Sequence, residues 1–470
     1  MCLETTQLSS ELKPSVLNFQ IALETNANLY SNDLTLVIST SMKPQNLEEK
    51  VVWYSLIGTY GFYFIGAQYI AIPALAWLLT LYLGKKLWNQ TENTPTEEKV
   101  TIPFSMWIWV IFMLVMEVAL IVAHIDFDLG IPKIITSTIN WARAWPLLAL
   151  FPLIGCLNIR PQLIYRAICI ICLQSLILIP IFYIAYILHL PSTLYNSPLR
   201  LLGGNGAEYY SVVLYGFEEE TNQTRLQLFA PWPPALGLIA NIYFLLVCQE
   251  PNKKWRLIGM IGAVAMIMAS FSRLSMLSII AVPLLTWVLV NFTKPIVPIA
   301  TGVVSFFAAM FAPLLINFLD TFKEQFSKAR ASSSRLREIL GRMALERWSE
   351  ALLWGHGIVD PRGPAFTKHM PIGTHHTWFG ILFEKGLVGL IALAVPLLWS
   401  FIDLLYKAHK NKTAKVGLSV LLVLFFFTFG ERIEGLAYLY WPGLVIMGMA
   451  FKAKVQTHLS LEKNTELTSI

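Results

Sequence analysis

Charged side chains are scarce in this sequence: Asp, Glu, Lys and Arg make up 14% of its 470 residues, against 56% hydrophobic ones. An ordinary soluble domain spends about a quarter of its residues on charge, so that class is excluded and a polytopic membrane protein is indicated. The net charge of +6 is small for the length, and the basic residues fall at the ends of apolar runs instead of along one face. Nucleic-acid binding therefore has no support. Cysteine is scarce too, at positions 2, 156, 169, 172 and 248, which implies no disulfide framework. Cys169 and Cys172 form a C-x-x-C, but inside an unbroken apolar run they read as two free thiols on one helix face. Internal repeats and low-complexity tracts are missing, and so is a positive n-region leading into an apolar h-region. The first fifty residues thus read as a polar, uncleaved segment, with the first span as the insertion signal.

What the chain has in abundance is long apolar runs. About 20 apolar residues cross roughly 30 Å of hydrocarbon, and that rule gives segments near 51–67, 69–84, 103–123, 134–157, 162–190, 232–249, 255–271, 274–291, 296–318, 377–405, 415–430 and 436–452. The expected fold is an all-α polytopic membrane bundle of about twelve transmembrane helices. Its divisions are a cytoplasmic polar segment 1–50, spans one to nine over 51–318 with an outer loop at 191–231, a large helical periplasmic loop 319–376, spans ten to twelve over 377–454, and a cytoplasmic tail 455–470. With the N-terminus inside, Lys85, Lys86, Arg160, Arg166, Lys253, Lys254, Arg256, Lys294, Lys407, Lys410, Lys412 and Lys415 lie on the cytoplasmic side.

The loop at 319–375 breaks that charge rule. It lies outside, yet carries nine basic residues against six acidic ones, a surplus that an anionic ligand would explain. From Ser334, a plausible N-cap, Leu336, Ile339, Leu340, Met343, Trp348 and Leu352 recur at helical spacing. Glu338 and Glu346 stand one turn from Arg342 on the other side. The loop passes through Gly355-His356-Gly357 and reaches Gly373-Thr374-His375-His376-Thr377-Trp378 before the next span.

Four residues outside the bulk of the spans could carry chemistry. Arg273 sits where two apolar segments meet with hardly any loop, and an arginine near hydrocarbon needs a watery cavity, an anion or the headgroups. Arg225 stands just before Pro231-Trp232-Pro233-Pro234; a loop arginine is more often a solvated charge. His375 and His376 precede a span, and a histidine can take a proton from an attacking hydroxyl. A zinc pair is rejected, because adjacent histidines on an incipient helix diverge by about 100° and no third ligand is near. Together, two arginines and a histidine on one side could surround a diphosphate and a sugar hydroxyl: guanidinium forks match phosphate oxygens, and imidazole can deprotonate an acceptor. Glu117, deep in a span, reads as half of a structural pair with Arg143. Glu431, Arg432 and Glu434 read as an interfacial charge cluster.

These residues resemble the bacterial O-antigen ligase and polymerase superfamily. The run His375-His-Thr-Trp-Phe-Gly-Ile-Leu-Phe-Glu384-Lys-Gly386-Leu-Val-Gly389-Leu is similar to the family's histidine followed by Glu-x-Gly-Leu-x-Gly-Leu at the start of a span, with His376 where many members have asparagine. Ser272-Arg273 and Arg225-Leu-x-Leu-Phe-x-x-x-x-Pro234 resemble its two arginine sites, and Arg342 to Gly357 resembles the loop helix before a Gly-x-Gly turn. The resemblance implies an inverting, metal-independent glycosyltransferase needing no cofactor. It would act on undecaprenyl-diphosphate-linked glycan at the periplasmic face of the bacterial inner membrane. Arg225 and Arg273 would bind the donor diphosphate and His375 would activate the acceptor hydroxyl, its spacing to Glu384 fitting the motif; His376 is the other candidate base. Arg335, Arg342 and Glu384 are supporting candidates.

Two outcomes share that chemistry: polymerisation of O-antigen, capsular or exopolysaccharide repeats, which is favoured, and ligation to a lipid A core or protein. The partners expected are the lipid-linked donor, a glycan or lipid A core acceptor, membrane lipid and other polysaccharide-assembly proteins. The competing class is a small-anion transporter, for which paired repeats and interrupted helices near midplane are expected.

Overall fold

The computed structural model describes residues 42–95, 99–204, 206–218, 223–314, 316–317, 320, 331–359, 363–364, 370–373 and 376–453. His375 and the tail 455–470 lie outside them, as does most of the segment 1–50. The architecture is overwhelmingly helical. In chain order the helices are α1 (Leu47–Ile57), α2 (Thr59–Ile65), α3 (Gln68–Trp88), α4 (Phe104–Asp126), α5 (Ile131–Ala142), α6 (Leu147–Ile154), α7 (Pro161–Ile187), α8 (Pro233–Val247), α9 (Lys253–Ser270), α10 (Arg273–Asn291), α11 (Ile296–Met310), α12 (Ala331–Trp348), α13 (Thr377–Ala408), α14 (Lys412–Phe427) and α15 (Ala437–Lys452). Among the described residues, α3, α4, α7, α10 and α13 are long and apolar enough to cross a membrane, with α8 and α11 shorter but apolar.

The fold is not purely helical. The loop 191–231 folds into two antiparallel hairpins, β1 (Thr193–Asn196) with β2 (Ser211–Val213) and β3 (Gly216–Glu218) with β4 (Gln223–Arg225). Backbone pairing of this kind satisfies polar groups in a segment too polar to enter the bundle.

Helices start where the local chemistry favours an N-terminus. Asn46, Asn252 and Asn411 cap α1, α9 and α14 through side-chain oxygens that accept backbone N–H bonds, and α7 and α8 open with proline. The expected span at 134–157 is instead two helices. In α5, Ile131, Ile135 and Ile139 form an exposed apolar line and no residue is buried, the pattern of a helix lying in the interface plane. The turn Arg143-Ala-Trp-Pro146 then breaks the run before α6, whose residues are all buried. Arg143 does not pair with Glu117: its guanidinium donates to the carbonyls of Gly203 (2.8 Å) and Leu202 (3.3 Å), while Glu117 accepts from Thr138 Oγ1 at 2.6 Å.

Close helix packing rests on small residues, as in lipid-embedded bundles. Gly259 and Gly262 of α9 lie against Cys169 and Cys172 of α7, both buried free thiols, which fits the packing reading of the C-x-x-C. Gly155 and Gly448 let the end of α6 touch α15. The antiparallel pair α4 and α13 is stitched by Trp109 Nε1 to Ser400 Oγ (2.8 Å) and Ser105 Oγ to Asp403 Oδ2 (2.7 Å). The hairpins and α12 share one end of the bundle, called here the loop end. Ion pairs Glu48–Lys86, Glu49–Arg160, Glu250–Arg166 and Asp403–Lys407 occupy the opposite end.

Candidate active site at the loop end

Arg225 closes β4, where its backbone pairs with Gly216. The residue is 9% exposed, and Nε donates to the carbonyl of Ser270 at 3.0 Å while Nη1 lies 3.6 Å from Glu218 Oε2. Leu226 N–H adds a bond to the Ala269 carbonyl at 3.0 Å. The β3–β4 hairpin is thereby clamped onto the C-terminus of α9. That helix stops because Phe271 turns left-handed (φ 47°), and Ser272 then caps α10, accepting from Ser275 N. Arg273 is the first residue of α10. One arginine therefore grips the carbonyl three residues ahead of the other, and the structure brings the two expected diphosphate ligands into one junction.

A third element meets them there. Glu431, in the turn between α14 and α15, is buried, and its Oε2 accepts from Trp232 Nε1 at 2.8 Å. Its Oε1 lies 3.9 Å from Arg337 Nη2 of α12. Burial pushes its carboxyl above the usual carboxylate range, against the pull of Arg337, the Trp232 N–H and Arg225. Next to it, Arg432 forks onto Glu384 (Nη1 to Oε1 3.0 Å, Nη2 to Oε2 3.3 Å) and reaches Glu434 Oε1 through Nε at 2.6 Å. The sequence reading of Glu431, Arg432 and Glu434 as a mere interfacial cluster is too weak: both glutamates are buried among the site's cations. What conceals this in the sequence is that the partners, Trp232, Arg337 and Glu384, come from three distant segments.

The start of α13 is sewn to the same turn. Thr377 Oγ1 donates to the Glu431 carbonyl at 2.6 Å, Thr377 N–H to the Thr428 carbonyl at 3.0 Å, and Trp378 Nε1 to Thr428 Oγ1 at 2.8 Å. His376 is the N-cap of α13: its Nδ1 accepts from Phe379 N–H at 3.4 Å, and its ring stacks on Phe379 at 4.0 Å with Phe429 edge-on. Loss of solvation pushes its pKa down to about 4, so the ring is neutral near pH 7. An accepting Nδ1 places the proton of the neutral ring on Nε2.

The Glu-x-Gly-Leu-x-Gly stretch has a physical explanation. Gly386 has φ 61° and ψ −157°, and there the helix α13 breaks. Polar groups freed by the break are taken up by the loop: His356 and Gly357 N–H donate to the carbonyls of Phe383 and Glu384 (both 2.8 Å). Leu387 and Val388 N–H donate to those of Leu352 (2.9 Å) and Leu353 (3.1 Å). Gly355, at φ 70°, faces Gly386 so closely that a Cβ on either would lie about 2.4 Å from the other segment's backbone. Only glycine fits both positions. His356 is wedged between Phe383 and Phe127. Just before the break, Lys385 is 2% exposed, with the charges of Glu384, Glu117, Arg432 and Glu434 around it.

The supporting candidates divide. Glu384 is buried and held by Arg432, beside the junction. Arg342 is a solvated surface residue that pairs with Glu338 at 3.1 Å, and Arg335 is exposed; neither is placed in the junction. Sequence reasoning passed over Arg337, although it falls one turn before Leu340 and two before Ala344, which pack against Phe383 of α13. Lys385 was passed over too, despite standing as a charge in an apolar run.

No curated protein matches the chain. Residues 257–394, from α9 through the broken part of α13, match the family model described as O-Antigen ligase. The matched stretch contains Arg273, Arg337, Glu384 and both glycines of the break, while Arg225 and the 431–434 turn lie outside it. Its apolar helices mark a multi-pass membrane protein, and the matched stretch supports a place in the O-antigen ligase/polymerase superfamily, an enzyme family of ligase/polymerase type.

Proposed function

We propose that the chain is an inverting glycosyltransferase of about twelve spans in the bacterial inner membrane, with the loop end facing the periplasm. It transfers glycan from undecaprenyl diphosphate to an acceptor hydroxyl, most simply in polymerising polysaccharide repeats. The acceptor oxygen attacks the anomeric carbon of the donor as the bond to the phosphate oxygen breaks. His375 takes the hydroxyl proton, and the lipid diphosphate leaves with the electron pair. Arg225 and Arg273 offset its growing charge, which is how arginine can serve where other enzymes use a metal ion. The observation that carries this reading is the junction in which Arg225 grips the carbonyl of Ser270, three residues from Arg273, beside the turn that anchors the start of α13. His376 caps α13 through Nδ1, which supports His375 over it as the base.

The test is deletion of the gene followed by analysis of surface glycans. Caps of a single repeat are the expected result. Accumulation of lipid-linked polymer would make the protein a ligase to lipid A core or protein instead, and unchanged glycans would sink both.

One observation favours a second reading. A broken helix beside buried Glu384, Lys385 and Glu117 is a feature of ion-coupled carriers. Uptake of radiolabelled phosphate or another small anion into proteoliposomes, independent of any glycan donor, would support a transporter.

A further inference from the structure

A second concave feature adjoins the arginine junction. Gln68, at the start of α3, is 6% exposed, and Tyr438, at the start of α15, is 3% exposed. Both line a small recess roofed by the loop residues Glu208 and Tyr209, with Tyr63 and Phe229 in its walls. Neither the Gln68 carboxamide nor the Tyr438 hydroxyl makes a hydrogen bond among the described residues. Neither is among the fully enclosed polar atoms that lack a partner, so both open onto the recess, where a water or a sugar hydroxyl can meet them. The recess is about the size of one water molecule or one hydroxyl group.

We propose that this recess reads a pyranose ring of the glycan. A ring hydroxyl enters between the Gln68 carboxamide and the Tyr438 hydroxyl, the Glu208 carboxylate accepts from a neighbouring hydroxyl, and the C–H face of the sugar lies over the electron-rich Tyr209 ring. The assignment rests on the glycosyl-transfer reading and deepens it. Position supports it: Tyr209 stands edge-on to Trp232 at 5.7 Å, and the Trp232 indole holds Glu431 of the arginine junction. Tyr209 also feels the charges of Arg432 and Glu434. A sugar in the recess and a diphosphate at the arginines would be neighbours.

The experiment is saturation-transfer NMR on the full-length protein in lipid nanodiscs, with methyl α- and β-pyranosides of glucose, galactose, mannose and N-acetylglucosamine as probes. At least one pyranoside should receive saturation. Gln68→Leu should lower that signal at least fivefold, and Tyr438→Phe, which keeps the ring and removes only the hydroxyl, should lower it too. Arg342→Ala, on the solvated face of α12, should leave it unchanged. Because binding is read without turnover, failed glycosyl transfer with intact pyranoside binding would refute the proposed function while sparing the recess. Addition of a polyprenyl-diphosphate sugar separates the two sources of the ring: displacement of the pyranoside assigns the recess to the donor's sugar, and retention to the acceptor's. If no pyranoside binds, or if Gln68→Leu and Tyr438→Phe both bind as well as wild type, the recess is a structural water site and the inference is overturned.

Discussion

The two ends of the bundle handle charge differently. At the opposite end, Glu48, Glu49, Glu250 and Asp403 each meet a single cation, from Lys86, Arg160, Arg166 and Lys407. Among the described residues these charges stand one to one, and each pair joins or caps helices. At the loop end charges are shared: Glu431 answers to Trp232, Arg337 and Arg225, and Arg432 is divided between Glu384 and Glu434. A closed pair is a staple, whereas a shared network can be redrawn around an incoming anion. The contrast separates charges that join helices from charges that share partners around the arginine junction.

The largest expected effect tests the base directly. His375→Ala should lower glycan transfer about 10²–10⁴-fold, the usual worth of a general base, with membrane insertion unchanged by fractionation. His376→Asn, which can still cap α13, should keep most of the activity. The His376 pKa is depressed in the folded protein, so its contribution to stability is present above the unfolded value near 6.5 and is lost as pH falls through about 4. His376→Asn should flatten that acid loss in melting curves.

The next prediction sets the two ends against each other. Arg432→Gln strands Glu384 and Glu434 and should cost roughly 3–5 kcal/mol together with transfer activity. Arg160→Gln strands Glu49 and should lower melting temperature while the surviving protein keeps its turnover. Equal losses of turnover in both would erase the contrast. Gly386→Ala comes next: left-handed backbone and a collision with Leu353 should cost on the order of 2–4 kcal/mol, read as a drop in melting temperature in detergent.

Arg273→Lys keeps the charge and loses the fork, so transfer should fall about tenfold with no change in expression; an unaffected rate would mean that Arg273 only reaches for headgroups. Smallest of all, Arg342→Ala should shift stability by less than about 0.5 kcal/mol and leave transfer intact. A large loss there would place α12's outer face in the site.

Much of this was legible in the sequence, for physical reasons. Long apolar runs announce helices because hydrocarbon admits little else, and Arg225 and Arg273 stood out because a charge beside an apolar run must have a purpose. Other features were hidden. Arg143 pairs with loop carbonyls that only the folded 191–231 segment presents, so its distance from Glu117 could not be read from spacing. Apolar count alone could not distinguish the interfacial helix α5 from a span, since the count ignores the line formed by Ile131, Ile135 and Ile139. The break at Gly386 was visible only as a motif. Its cause, the docking of residues 352–357, needs two segments at once.

That docking also bears on how the protein is made. The strip that completes α13 precedes it in the chain, so on a ribosome the patch has already been made when the gapped helix emerges. Reversing this order, in a circular permutant that begins at Thr377, would send an incomplete helix into lipid with its mate still unsynthesised. Such a permutant should stall or be degraded early in biogenesis, even though the finished fold would be the same.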